Sequence, residues 1–133
     1  MTSKNVELVR GLYSAFSCGD VGAVLGALAP GVVWNEAEGN RYADGNPYVG
    51  PQAVAAGVFA RLGGEWDGFA VKMDEILDAG DTVVACGRYT GSYKATGKPI
   101  NAQVVHVWTI ADGKLAAFQQ YTDTLQMARA IEP

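Results

Sequence analysis

Phe69-Ala70-Val71-Lys72-Met73-Asp74 marks the point where the pattern of this 133-residue chain changes. Phe69, Val71 and Met73 alternate with Ala70, Lys72 and Asp74, the two-residue period of a strand with one buried face. Before this point the apolar residues recur at helical spacing. Asn5 to Ser17 carries Val6, Val9, Tyr13 and Phe16 on one stripe, with Leu8 and Leu12 beside it. Gly19-Asp20 stops that helix and starts a second, in which Val21, Val24, Leu25 and Leu28 follow i, i+3, i+4, i+7 up to Pro30-Gly31. Val32-Val33-Trp34-Asn35-Glu36 reads as a short strand. The loop from Gly39 to Gly50, with Tyr42, Asn46, Pro47 and Tyr48, is long enough to be a lid or a rim. Gly50-Pro51 opens a third helix that buries Val54, Val58 and Leu62, with Phe59 close by, and stops at Gly63-Gly64.

Beyond Phe69 the two-residue period continues to the end. Asp78 to Asp81 is a turn, Thr82 to Gly91 a strand, Ala95 to Lys98 a connection and Ile100 to Ile110 a long strand. Ala111-Asp112-Gly113-Lys114 is a hairpin signal leading into a last strand, Leu115 to Thr124. The order is α-α-β-α-β-β-β-β in one domain over residues 1–133. Helices first and a meander after them predict an α+β fold. Three helices of the N-terminal half pack on a strongly curved, mostly antiparallel mixed sheet. Helices across the concave face of such a sheet would leave a closed-end cavity, a natural pocket for a small apolar molecule.

Composition narrows the function. Apolar residues make up 49% and charged residues 18%, a globular balance with enough core to need no staples. A net charge of −4 offers no footprint for nucleic acid and none for an anionic membrane surface. The first apolar stretch contains Lys4, Glu7 and Arg10, too charged for a signal-peptide core, and no run is long enough to span a membrane. Cys18 and Cys86 have no metal-ligand spacing and read as two buried free thiols in a reducing cytoplasm. One histidine and scattered acids build no metal site, and no glycine patch has a phosphate-loop context, so no cofactor is expected.

Two polar residues fall in apolar surroundings. Glu36 shares a strand side with Trp34, where desolvation would raise its pKa and make it a usable base. His106, the only histidine, shares a face with Val104 and Trp108 in a strand apolar on both sides. A neutral imidazole there could hold a carbonyl or enolate oxygen. Their plainer alternatives are a solvated strand-end acid and a core histidine satisfied by tyrosine or backbone. On the last strand Phe118 and Gln120 share one face, Tyr121 and Asp123 the other. Asp123 is a third candidate for proton transfer, or else a strand-end acid at the rim. Trp34, Tyr48, Phe59, Trp108, Phe118, Gln120 and Tyr121 are the expected ligand contacts, with core packing the alternative for the aromatics.

Several stretches together resemble the SnoaL-like and ketosteroid-isomerase-related family of the nuclear-transport-factor-2-like superfamily. They are Tyr13-Ser14-Ala15-Phe16 before Gly19-Asp20, Val32-Val33-Trp34 with an acid two residues on, Tyr48 to Val54, and Asp112 to Leu115 with Phe118, Tyr121 and Asp123. The resemblance implies the cone fold and places Glu36 where ketosteroid isomerases keep their catalytic aspartate. It places His106 where they keep an aspartic acid neutral to donate a hydrogen bond. The chain also departs from the family. Gln120 stands at the position of the cyclases' basic aspartate, and Leu12 at that of the isomerase tyrosine. Tyr13 is turned about 100° away on the helix, so the full isomerase oxyanion hole is either absent or rebuilt, and Tyr42, Tyr48 or Tyr93 could replace that hydroxyl from the loops. The implied function is a cofactor-free isomerase, cyclase or dehydratase acting on a small apolar carbonyl compound. The competing readings are a non-catalytic binder of such a molecule and an association module. The family resemblance also implies a homodimer through the open sheet face, covered by Thr90, Ser92, Gln103, Val105 and Val107.

Overall fold

The structure, a computed structural model, describes residues 3–133. Helix α1 (Lys4–Ser17) starts at Ser3, whose side chain accepts a hydrogen bond from Val6 N and so satisfies a free helical donor. It buries Val6, Val9 and Leu12. Helix α2 (Val21–Ala27) is capped in the same way by Asp20 through Ala23 N. It ends three residues before Pro30, earlier than its apolar spacing predicts. Strand β1 (Leu28–Asn35) claims Leu28, which pairs in parallel with Leu115. Pro30 and Gly31 fall where the register of that pairing shifts, a place where a strand tolerates proline.

The loop after β1 contains a 3₁₀ turn (Arg41–Gly45) and a two-residue strand, β2 (Tyr48–Val49), which pairs antiparallel with β1. The third helix runs through Pro51–Val54, a π-helical stretch Ala55–Phe59, and Ala60–Glu65. Strand β3 (Trp66–Ala79) begins before the alternation at Phe69, and β4 (Thr82–Tyr93), β5 (Pro99–Ala111) and β6 (Lys114–Thr122) follow. An unexpected C-terminal helix, Thr124–Ile131, closes the chain. The expected last strand therefore stops at Thr122.

The sheet order is β2-β1-β6-β5-β4-β3, with β1–β6 parallel and the other pairs antiparallel. This is the mixed, mostly antiparallel sheet of the expected α+β fold. Two register shifts in the β3–β4 pair bend it. Gly87 sits beside one of them, and a β-carbon there would overlap the carbonyl oxygen of Lys72. The bend turns the inner face towards the helices. On that face Trp34, Phe118, Trp108 and Val83 form one row across four strands, and Gln120, His106 and Ala85 form the next. The main core gathers Val6, Val9, Leu12, Val24, Val54 and Val58 from the helices over the first row. Each such side chain contributes roughly 1.5–3 kcal/mol by leaving water. No helix among the described residues is long and apolar enough to cross a membrane.

Candidate active site

The two rows of the inner face are the floor of a cavity. Alternation along β1 brings Trp34 inward, and Glu36 follows on the same side just past the strand end. The backbone of Glu36 is clamped by one side chain. Its N–H donates to Asn46 Oδ1 at 2.9 Å, and its carbonyl accepts from Asn46 Nδ2 at 2.8 Å. Its carboxylate accepts from Trp34 Nε1 at 3.0 Å and is almost sealed from solvent, the residue being 2% exposed. Burial pushes its pKa up to about 7, against hydrogen bonds from Trp34 and Gln120 that favour the charged form. Near neutral pH the group can therefore both take and return a proton.

His106 lies in the adjacent row, buried between two tyrosine hydroxyls. Tyr13 Oη is 2.6 Å from Nδ1 and Tyr89 Oη is 2.6 Å from Nε2. Burial lowers the imidazole pKa to about 3, so the ring is neutral at physiological pH. Each hydroxyl accepts a further hydrogen bond: Tyr13 from Trp108 Nε1 at 2.9 Å, Tyr89 from Gln120 Nε2 at 2.8 Å. Burial also holds both phenols protonated, well above their ordinary range. Gln120 is fully engaged, because its Oε1 accepts from Ala37 N at 3.1 Å and Asn40 Nδ2 at 2.9 Å. Desolvating any of these groups unpaired would cost about 1–3 kcal/mol, which is why each has a partner.

The walls are aromatic and aliphatic. Trp34 stacks on Phe118 at 3.9 Å between ring centroids, and Phe59 and Trp108 meet Trp34 edge-on. The void over Glu36, His106 and Gln120 is ≈ 40 Å³. Above it lies an apolar mouth of ≈ 200 Å³ that reaches Gly19, Val21, Gly63 and Trp66. The two share Phe16, Val24, Phe59, Leu62 and Phe69, so they adjoin across these five side chains. Its size admits a small ring with a polar atom or two at its inner end.

The cavity brings together Trp34, Glu36, Phe59, His106, Trp108, Phe118 and Gln120. Three expected residues lie elsewhere. Asp123 does not face the cavity; it caps the C-terminal helix, its Oδ1 accepting from Gln126 N at 3.1 Å. Tyr121 points to the outer face and is 57% exposed. Tyr48 packs against Gly45 and Gly57, where a β-carbon would overlap its ring, and donates to the carbonyl of Tyr42 at 2.6 Å. Tyr42 serves a separate network with Glu65 and Trp66, and Tyr93 packs on Trp66, so neither replaces the isomerase hydroxyl. The hydroxyls that flank His106 belong to Tyr13 and Tyr89, which both line the cavity. Alternation along β4 from Val83 and Ala85 signals Tyr89, whereas the helical turn between Leu12 and Tyr13 misleads. Both residues line the cavity, because it lies across the boundary of their faces.

Comparison with known proteins agrees with this architecture. Residues 9–118 match the SnoaL-like domain family model, and the chain belongs to that family. An NTF2-like protein from Burkholderia thailandensis E264 is 40% identical and superimposes with a TM-score of 0.93 over 100% of each chain. TerC, crystallised with polyporic acid, is 27% identical with a TM-score of 0.86, covering 98% of this chain and 100% of its own. A putative SnoaL-like polyketide cyclase from Jannaschia sp. CCS1 shares the fold, at 22% identity and a TM-score of 0.83 over 98% and 94% of the two chains. No functionally curated protein matches the chain.

Proposed function

We propose that this protein binds a small, uncharged, mostly apolar carbonyl compound and transfers a proton on it without a cofactor, as an isomerase, cyclase or dehydratase does. One observation carries the reading. Among the described residues Glu36 is the single carboxylate lining the cavity, with a pKa of about 7, beside neutral hydrogen-bond donors and aromatic walls. As a carboxylate it takes a proton from the carbon next to the carbonyl. The C–H electron pair moves into the enolate, and a tyrosine hydroxyl held by His106 donates to the oxygen that gains the charge. Glu36 then returns the proton to the same or another carbon. Among the described residues no cation lines the cavity, so burial there disfavours an anionic ligand.

The reaction can be followed without knowing the natural product. Small cyclic and aryl ketones incubated in D₂O should exchange their α-protons, as read by NMR. The exchange rate should rise with pH through about 7 as Glu36 ionises. Glu36→Gln should slow exchange by roughly 10²–10⁴-fold, the usual worth of a positioned base, while ketone affinity changes little. Undiminished exchange in that variant would sink the proposal.

A second reading, a binder without chemistry, is favoured by Gln120. This amide occupies the cyclase acid position, and its hydrogen bonds hold the loop. The similar protein TerC was crystallised with polyporic acid, which supports a ligand pocket under either reading. A ligand recovered chemically intact after long incubation would decide for the binder. The proposal includes a homodimer through the outer sheet face, supported by half-buried Val105 and Val107 beside exposed Tyr121. Cys18 is exposed and Cys86 half-buried, so neither is the buried thiol expected from the sequence, but both are free and support the cytoplasm as its compartment.

A further inference from the structure

The hydrogen bonds around His106 do not balance. Four contacts tie the group together: Trp108 to Tyr13, Tyr13 with Nδ1, Tyr89 with Nε2, and Gln120 to Tyr89. Five hydrogens are available to them. Trp108 and the Gln120 amide each bring one, the neutral imidazole brings one, and each phenol brings one. Trp108 has no acceptor role and the Gln120 nitrogen none, so both must donate to the tyrosine oxygens. The imidazole has one N–H and one bare nitrogen. It donates to one tyrosine and accepts the hydroxyl hydrogen of the other. The tyrosine that receives the imidazole N–H keeps its own hydrogen unpartnered. Among the described residues neither hydroxyl has a hydrogen bond to any acceptor other than the ring, and both tyrosines line the cavity.

We propose that the Tyr13–His106–Tyr89 chain holds one tyrosine hydroxyl hydrogen in reserve for an acceptor oxygen of the ligand, and that the His106 tautomer decides which tyrosine offers it. With hydrogen on Nδ1, Tyr13 is the donor to the ligand. With hydrogen on Nε2, Tyr89 is the donor. His106 is then a positioning residue that works uncharged, and the pocket selects a carbonyl over a hydrocarbon of the same shape. The inference rests on the cavity being a ligand site, as proposed above, but not on any chemistry there.

The two tyrosines should be interchangeable as donors, which a merely structural role would not produce. In Tyr13→Phe the ring should settle as the Nε2–H form and Tyr89 should serve the ligand. In Tyr89→Phe the ring should settle as Nδ1–H and Tyr13 should serve. The reason is that a buried unpaired N–H is rarer than an unpaired acceptor. The probes are acetophenone and ethylbenzene, with affinities measured by calorimetry for the wild type and the three variants. Each single variant should shift the ketone-to-hydrocarbon affinity ratio by less than about 3-fold, and the double variant should lower it about 10-fold, the worth of one net hydrogen bond. Because the chain has a single histidine, ¹⁵N-histidine labelling reports its tautomer without overlap. A single variant losing as much preference as the double, or a double variant losing none, overturns the inference and leaves the pocket standing. If neither probe enters the wild type, the pocket reading falls and takes the inference with it. Should the double variant not fold, a ring left in mixed tautomers in either single variant overturns it alone.

Discussion

Glu36 and His106 are buried ionisable residues that line one cavity, and burial moves them in opposite senses. The folded chain holds a proton on Glu36 up to a pH of about 7, whereas an unfolded carboxyl loses it near 4.5. Its contribution to stability is therefore full below 4.5 and is lost as pH rises to about 7. The folded chain keeps His106 bare down to a pH of about 3, whereas an unfolded imidazole binds a proton below 6.5. That contribution is present above 6.5 and is lost as pH falls towards 3. Between 4.5 and 6.5 the two slopes oppose each other. Glu36→Gln removes one of them. At pH 8 the variant should be more stable than the wild type by about 1–3 kcal/mol, and the advantage should vanish at pH 4. Urea unfolding at the two pH values measures this, and an equal difference at both would refute it. Both residues could be read from the sequence because a two-residue period fixes which neighbours share a face. Tyr13 could not, since an angle on a helix ignores the reach of a phenol. Nor could the pairing of Tyr89 with His106, which depends on the register of β4 against β5.

At the scale of elements, the C-terminal helix is the main feature left out of the sequence reading, although its signal is present. Asp123-Thr124-Leu125-Gln126 carries an N-cap acid with a glutamine three residues on. The alternation of β6 runs straight into it, and a strand pattern hides a cap placed at its last residue. The helix buries Met127 and Ala130 against a second core with Trp66, Tyr89 and Tyr93. It therefore supports the strand that carries Tyr89 without touching the cavity. Asp123→Ala should lower stability by about 1 kcal/mol, the usual worth of a cap, and leave ketone affinity and α-proton exchange unchanged. Loss of exchange in a folded Asp123→Ala protein would return Asp123 to the site. The boundary between α2 and β1 moved for a non-local reason, because Leu28 finds its partner at Leu115, far along the chain.

At the scale of the molecule, the sheet has two working faces. The inner face holds the cavity. The outer face carries Val84, Val105 and Val107 near its centre, with Gln119 opposite Val107 and with Arg88, Gln103 and Thr109 towards its edges. Val105 lies between Cys86 and Tyr121 in register, at the middle of that face. A dimer of micromolar or tighter affinity is expected from light scattering, and Val105→Asp should convert it to a folded monomer by burying an unpaired charge. A wild-type monomer at micromolar concentration would remove the dimer from the proposal. The two halves of the chain are joined across the inner face by Gln120, whose amide links Ala37 and Asn40 on the loop to Tyr89 on β4. That link bears on how this scaffold could be re-engineered or could drift. Replacing Gln120 with aspartate would remove the amide donor that Tyr89 relies on and shorten the reach to Ala37 and Asn40. A change at this one position therefore disturbs the loop and β4 together, and compensation is needed on both sides of the cavity.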